Sequence, residues 1–175
     1  MATVFAGMAA SLDGFIQSAS GDLSWLNDAM RPGEDYGFAD TEARTGAYVM
    51  GANTYREMGG AGAGAVPTYV VTHDADLASG RHVRPYAGDL TQLIDTVRSD
   101  IDPDKDVCVF GGGQLVTQLL ELGLIDELGL AVIPVVLGSG VPFFGSMGSS
   151  TRLELKECRP FPSGIVILNY WIVRP

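Results

Sequence analysis

Residues 107–136 present, in order, an apolar run, three glycines, an amphipathic segment and a second apolar run. The first run is Val107-Cys108-Val109-Phe110, and Gly111, Gly112 and Gly113 follow it. The amphipathic segment is 113–121, and the second run extends from Leu128 to about Val136. These lengths and this punctuation predict strand, turn, helix and strand. The succession is a βαβ unit, whose crossover is right-handed in almost all proteins, and it points the chain toward folds built on a parallel sheet. The glycines add a second constraint. A helix that starts at the end of a strand turns its first N–H groups outward, its dipole favours negative charge, and glycine puts no Cβ in the way of a phosphate. The spacing is not G-x-G-x-x-G, and no Gly-Lys-Ser/Thr follows, so the dinucleotide and P-loop fingerprints are unmet. The triplet alone therefore keeps two readings: an anion site for a cofactor's diphosphate, or a device for close packing of helix on strand.

The rest of the chain is read around this unit. Residues 3–9 form a first strand, closed by the turn Ser11-Leu12-Asp13-Gly14. Residues 17–33 are rich in Gly, Ser, Asp and Asn and read as a long irregular segment in which Trp25 is embedded; such loops are often functional. A loose helical pattern covers 34–45, followed by a strand at 47–50, a short helix at 54–58 and a strand at 68–72. Asp89 and Gln92 make a capping pattern ahead of Leu90, Leu93, Ile94 and Val97, which fall at helical spacing. Residues 153–157 alternate, 162–164 turn, and 165–173 are apolar again, which predicts an antiparallel hairpin at the C-terminus. The expectation is one α/β domain over 1–175, with a mostly parallel central sheet, flanking helices and a C-terminal antiparallel hairpin.

Charge and composition narrow the function. A net charge of −10 argues against nucleic acid and anionic membrane surfaces as partners, since both call for basic patches. No run of 18 apolar residues exists and no basic, then apolar, leader precedes the first strand, so a cytoplasmic protein is expected. With His73, His82, Cys108 and Cys158 as the complete set of His and Cys, and no ligand spacing among them, no metal site is expected. Cys108 reads as a small buried hydrophobe. Among polar candidates, His73 follows a strand end, where open α/β sheets line ligand crevices; the commoner reading of such a residue is a solvated loop histidine. Asp13 is ordinary turn chemistry or a carboxylate that orients a substrate or relays a proton. Asp35 is a helix-face acid or a group aimed into the same crevice. Trp25 is a loop anchor or the apolar wall of a binding site.

Taken in order, six motifs resemble one family. They are Ser11-Leu12-Asp13-Gly14-Phe15-Ile16; Gly21-Asp22-Leu23-Ser24-Trp25-Leu26; Tyr48-Val49-Met50-Gly51 with Thr54-Tyr55-Arg56-Glu57; Tyr69-Val70-Val71-Thr72; Phe110-Gly111-Gly112-Gly113; and Ile125-Asp126-Glu127-Leu128 with Pro134 to Gly138 and Gly140 to Phe144. The chain is similar to the dihydrofolate-reductase-like superfamily, and within it to the reductase domain of bacterial riboflavin-biosynthesis deaminase-reductases and its stand-alone relatives. The resemblance implies an eight-stranded sheet, NADPH as hydride donor, a pteridine-like or pyrimidine-like substrate and a homodimer. Carried over, it implies that Gly51 and Thr54 lie on the phosphate and ribose side of the cofactor, and that Thr72 and His73 lie near its adenosine end. Gly111, Gly112 and Gly113, with Gln114 and Leu115, would cradle the diphosphate. Asp13 would serve in catalysis, and Trp25 and Asp35 would border the substrate.

The departures from the family pattern bear on the cofactor. Relatives often carry Arg after the Met-Gly of the second strand, and Arg or Lys after the Thr of the third. Here those places hold Ala52 and His73. A neutral imidazole is a poor clamp for a phosphate dianion, so NADH joins NADPH as a donor. No zinc-deaminase signature is present. A reductase is thus expected, with a catalytically inactive dinucleotide-binding module as the alternative.

Overall fold

The computed structural model of the protein describes residues 2–60, 64–74, 76–77 and 80–174. In chain order its elements are β1 (Val4–Ser11), β2 (Phe15–Ser18), α1 (Ser24–Ala29), α2 (Phe38–Arg44), β3 (Thr45–Gly51), α3 (Ala52–Glu57), β4 (Thr68–Val71), β5 (Val83–Tyr86), α4 (Leu90–Asp100), β6 (Asp106–Val109), α5 (Gly113–Glu121), β7 (Glu127–Ile133), β8 (Gly140–Pro142), β9 (Arg152–Pro160) and β10 (Val166–Val173). Eight strands form one sheet in the order β5-β4-β3-β6-β1-β7-β10-β9, while β2 and β8 make a separate ribbon. The strands from β5 to β7 are parallel, and β10 runs antiparallel to both β7 and β9. The parallel centre and the C-terminal hairpin are those the sequence predicts.

The βαβ unit around the glycines spans more than its sequence suggests. β6 and β7 are not neighbours: β1 lies between them, with Phe5 opposite Cys108 on one side and Glu127 on the other. β7 stops at Ile133, short of Val136, because Pro134 has no N–H to give a ladder. Two elements fall in the segment read as irregular. α1 lies wholly within it, and β2 enters it and pairs with β8, Ser18 opposite Gly140.

The sheet's two faces are built differently. On one, Leu90, Leu93, Ile94 and Val97 of α4 and Val116 and Leu119 of α5 pack on Val4, Val49, Val107 and Val109 in a single cluster. Each such buried aliphatic side chain contributes about 2 kcal/mol of transfer free energy, so this face anchors the sheet. Asp89 caps α4, its Oδ1 accepting from the Gln92 N–H at 3.0 Å. On the other face the buried side chains form two separate groups. One surrounds Phe5, Tyr48, Met50 and Tyr55, the other Tyr36, Ile133 and Ile165. Between them the paired strands carry Gly7 beside Gly129 and Ala9 beside Ala131. Side chains this short leave the middle of the face open. Among the described residues no helix is long and apolar enough to cross a membrane. Both cysteines are free, Cys108 buried and Cys158 exposed.

Candidate functional site

The open strip becomes a cavity of about 1140 Å³, floored by Gly7, Ala9, Gly129 and Ala131 and running to the ends of β3 and β6. At those ends two helices begin side by side. The Gly51 N–H donates to the Gly111 carbonyl at 3.0 Å and so ties the start of α3 to the start of α5. Among the described residues, no side-chain cap hydrogen bond is made to the N–H groups at the start of α3, capped by Gly51, or of α5, capped by Gly112. These donors and the positive end of the α5 dipole therefore face the cavity unclaimed by the protein.

The three glycines have three different physical roles. Gly111 has φ +99° and joins Gly112 through a cis peptide bond. Gly113 is a packing glycine: a Cβ there would lie 2.3 Å from the Phe143 carbonyl oxygen. Gly112 is open, since a Cβ there would meet only Thr54 Oγ1, at 3.4 Å. Both readings of the triplet thus have a physical counterpart, close packing at Gly113 and unobstructed approach at Gly112.

Gly51, Thr54, His73, Gly112, Gly113, Gln114 and Leu115 line the cavity, His73 at its exposed edge. Gly111 lies behind them. Thr72 stands outside the lining; its N–H donates to the Tyr86 carbonyl at 2.9 Å and its Oγ1 accepts from the Asp74 N–H at 3.1 Å. Asp13, Trp25 and Asp35 also lie outside it, each with a local task. Asp13 accepts from Ser11 Oγ at 2.7 Å, from the Leu137 N–H at 3.1 Å and from the Gly138 N–H at 2.7 Å, which ties the turn after β1 to the loop after β7. The Ser11 hydroxyl outweighs the opposing desolvation and, with those two N–H groups, holds the Asp13 carboxyl below its ordinary pKa. Trp25 donates Nε1–H to the Asp22 carbonyl at 3.1 Å and packs against the Tyr36 group. Asp35 accepts from the Gly37 and Ala39 N–H groups, both at 3.1 Å, and secures the start of α2.

Other lining residues are not among the site residues the sequence predicts. Met8 and Phe110 wall the cavity near the glycines, Gln17 and Glu57 meet across its rim at 3.3 Å, and Cys108 and Glu127 lie deep on the strands. Burial pushes the Cys108 thiol up to about 12, so it is a neutral, unreactive group. The Glu127 side chain is only 10% exposed and is held by Arg44 at 3.1 Å and Lys156 at 3.0 Å. Among the described residues, those that line the cavity include no lysine or arginine. The alternation of small residues, Gly7 with Ala9 and Gly129 with Ala131, was the one sequence signal that marks the floor.

The arrangement suits a nicotinamide dinucleotide: open donors for a diphosphate at one end, and a flat apolar floor for ring systems beyond. Comparison with known proteins agrees. The chain matches the RibD C-terminal domain family model over residues 2–167. It is 29% identical over 168 residues to the uncharacterized protein YwjB of Bacillus subtilis (strain 168), covering 90% of this chain and 91% of that one. A Shewanella sp. PV-4 protein, assigned by name to riboflavin biosynthesis, superimposes with a TM-score of 0.84 at 26% identity, over 99% of this chain and 100% of the other. The dihydrofolate reductase of Enterococcus faecalis, solved with NADP(H), shares the fold at 17% identity and a TM-score of 0.70, over 98% of this chain and 97% of that one.

Proposed function

The chain belongs to the RibD C-terminal domain family, and from that premise we propose that it is a reductase using a nicotinamide dinucleotide to reduce a C=N or C=O bond of a flat pteridine-like or pyrimidine-like heterocycle. The observation that carries this reading is the continuity of the cavity, from the open face of Gly112 to the floor of Gly7, Ala9, Gly129 and Ala131. When bound, the reduced nicotinamide supplies the hydride. The chain's own residues bind, align and keep the site dry. The α5 N–H groups and Thr54 would take the diphosphate, and Gly51 would let the backbone approach it. The apolar walls exclude water, and the small-residue floor lets two rings lie face to face in an attack geometry. Asp13 lies outside the lining, and we take its part to be positioning, through the 137–138 loop whose N–H groups it accepts from. With no guanidinium lining the cavity, we take NADPH and NADH to bind within about tenfold of each other, a phosphate clamp being what ordinarily separates them.

We also take the protein to be a homodimer. The edge strand β9 leaves Leu153 and Leu155 exposed on one face, opposite Ile172 and Tyr170 of β10, and a second copy would cover that face. Light scattering at micromolar concentration tests this, a monomer being the adverse result.

Titration with NADPH and NADH, followed by tryptophan fluorescence and calorimetry, tests the main reading, with cofactor oxidation then followed at 340 nm against a heterocycle panel. Saturable binding with turnover supports a reductase. Binding without turnover of any member supports the inactive module. If neither dinucleotide binds, the reading is lost.

A further inference from the structure

The glycines of the cavity floor belong to one register row of the sheet. Gly7 of β1 lies opposite Gly129 of β7, Gly129 opposite Asn169 of β10, and Asn169 opposite Glu157 of β9. Residues directly opposite one another in a sheet share a face, so Asn169 and Glu157 stand on the cavity face beside the bare glycines. In the next row Ala9, Ala131 and Ile167 are apolar. Asn169 is thus the first polar side chain met on crossing the floor from β1.

Its amide lies close over that floor. A Cβ at Gly129 would come within 2.9 Å of Asn169 Oδ1, so the oxygen reaches from β10 to the edge of the glycine. Asn169 also lines a smaller chamber of about 210 Å³, which shares Glu127 and Ile167 with the cavity. The amide oxygen therefore stands where the two spaces meet.

The amide's orientation follows from its other partner. Asn169 Nδ2 donates to Glu157 Oε2 at 2.9 Å. A carboxylate offers acceptors only, so it takes the nitrogen end of the amide and turns the carbonyl end toward Gly129. Among the described residues no donor reaches that oxygen. Glu127, the acid at the same end of the floor, is already engaged: Oε1 pairs with Lys156 at 3.0 Å and Oε2 with Arg44 at 3.1 Å. Asn169 is half-buried, and a ring laid over the floor takes its oxygen out of water. That ring must bring a donor or leave the oxygen unmet. A polar group set in an apolar site rejects rings without the matching partner for this reason.

We propose that Asn169 is a specificity-determining residue of the floor. Its Oδ1 accepts from a ring N–H, so the site takes flat heterocycles that present an N–H at this border and discriminates against those that present a nitrogen lone pair there. The inference deepens the reductase reading, and rests on it only in taking the floor ring to be the substrate.

Calorimetric titration with two probes of one skeleton tests it. Quinazolin-4-one carries a ring N–H, and 4-methoxyquinazoline carries a bare nitrogen in its place. Wild type should bind quinazolin-4-one about tenfold tighter, the scale of one acceptor met against one left unmet. Asn169→Leu, similar in size and without an acceptor, should bring the two probes within about twofold of each other. Glu157→Gln leaves Asn169 in place, but a carboxamide there accommodates either end of the Asn169 amide. The flipped amide then donates to the bare nitrogen, and the preference should fall to about threefold. Equal affinities in wild type, or failure of both probes to bind it, overturn the proposal, and so does an unchanged preference in either variant. Circular dichroism establishes that both variants are folded. Titration of the same proteins with NADPH and NADH keeps the two ideas apart. An Asn169-dependent probe preference without dinucleotide binding sinks the reductase reading alone, and dinucleotide binding without that preference sinks the role of Asn169 alone.

Discussion

Gly112 and Gly113 are adjacent, yet the structure assigns them opposite vulnerabilities. A Cβ at Gly113 would sit 2.3 Å from the Phe143 carbonyl oxygen and 3.1 Å from that of Pro142. That is roughly 1 Å short of the 3.4 Å at which ordinary contact begins, and the obstacle is backbone. The Phe143 side chain is buried, and its N–H is bonded to the Gly14 carbonyl at 2.9 Å, so the 142–143 segment cannot retreat freely. Overpacking of this kind costs about 1–3 kcal/mol, and a rigid obstacle puts it near the upper end, about 3 kcal/mol. For a chain of this size that lowers Tm by about 6–12 °C. At Gly112 an added Cβ meets only Thr54 Oγ1, at 3.4 Å, and φ is −75°. Gly112→Val should therefore cost under about 1 kcal/mol, the weaker capping preference of Val. Its side chain would occupy the approach to the α5 N–H groups. Losing those charge-assisted bonds, about 1.5–3 kcal/mol, weakens dinucleotide binding about tenfold to hundredfold. Differential scanning fluorimetry and calorimetric titration of Gly112→Val and Gly113→Ala read the two effects separately. Wild-type dinucleotide affinity in Gly112→Val would remove the diphosphate from this turn. An unchanged Tm in Gly113→Ala would refute the packing argument.

Gly7→Val tests the floor: the nearest atom to its Cβ is the Gly129 carbonyl oxygen at 4.0 Å, so Tm should hold or rise by up to about 1 kcal/mol equivalent, while turnover is lost and dinucleotide affinity stays. Retained turnover would move the substrate elsewhere. Asp13 titrates below its unfolded value when folded, so its stabilisation is complete above about pH 4 and is lost as pH falls through the folded pKa. Tm measured from pH 6 to pH 3 should therefore fall less steeply in Asp13→Asn than in wild type, and parallel curves would refute this. Because the 137–138 loop is loosened, Asp13→Asn should also lower turnover more than dinucleotide affinity. A disulfide exchange reagent at pH 8 should titrate one thiol rapidly, exposed Cys158, and the second only on unfolding, since Cys108 is buried with its thiol pushed up to about 12. Two fast thiols would contradict that.

Much of the fold was legible because it is local. The spacing of Leu90, Leu93, Ile94 and Val97 and the Asp89 cap specify α4 without help from elsewhere, and alternation with a Pro-Ser-Gly turn specifies the β9–β10 hairpin. The open approach at Gly112, which lines the cavity, was legible because glycine carries no Cβ in any fold. Asp13, Asp35 and Trp25 are each engaged with loop or helix backbone, as side chains in turns often are.

What remained was decided between residues far apart in the chain. β1 enters between β6 and β7 because the apolar runs can satisfy their backbone groups in several orders, and only the assembled sheet chooses one. β2 becomes a strand when β8 arrives to pair with it. Glu127 lies at a cavity wall, and not in a solvated turn, because Arg44 and Lys156 come from α2 and β9 to hold it. The sequence by itself determined the elements and the open glycine turn, since hydrophobic period, capping and glycine geometry act over a few residues. Only the tertiary structure decided the strand order and the open floor, since each depends on contacts whose partners the local chain does not contain.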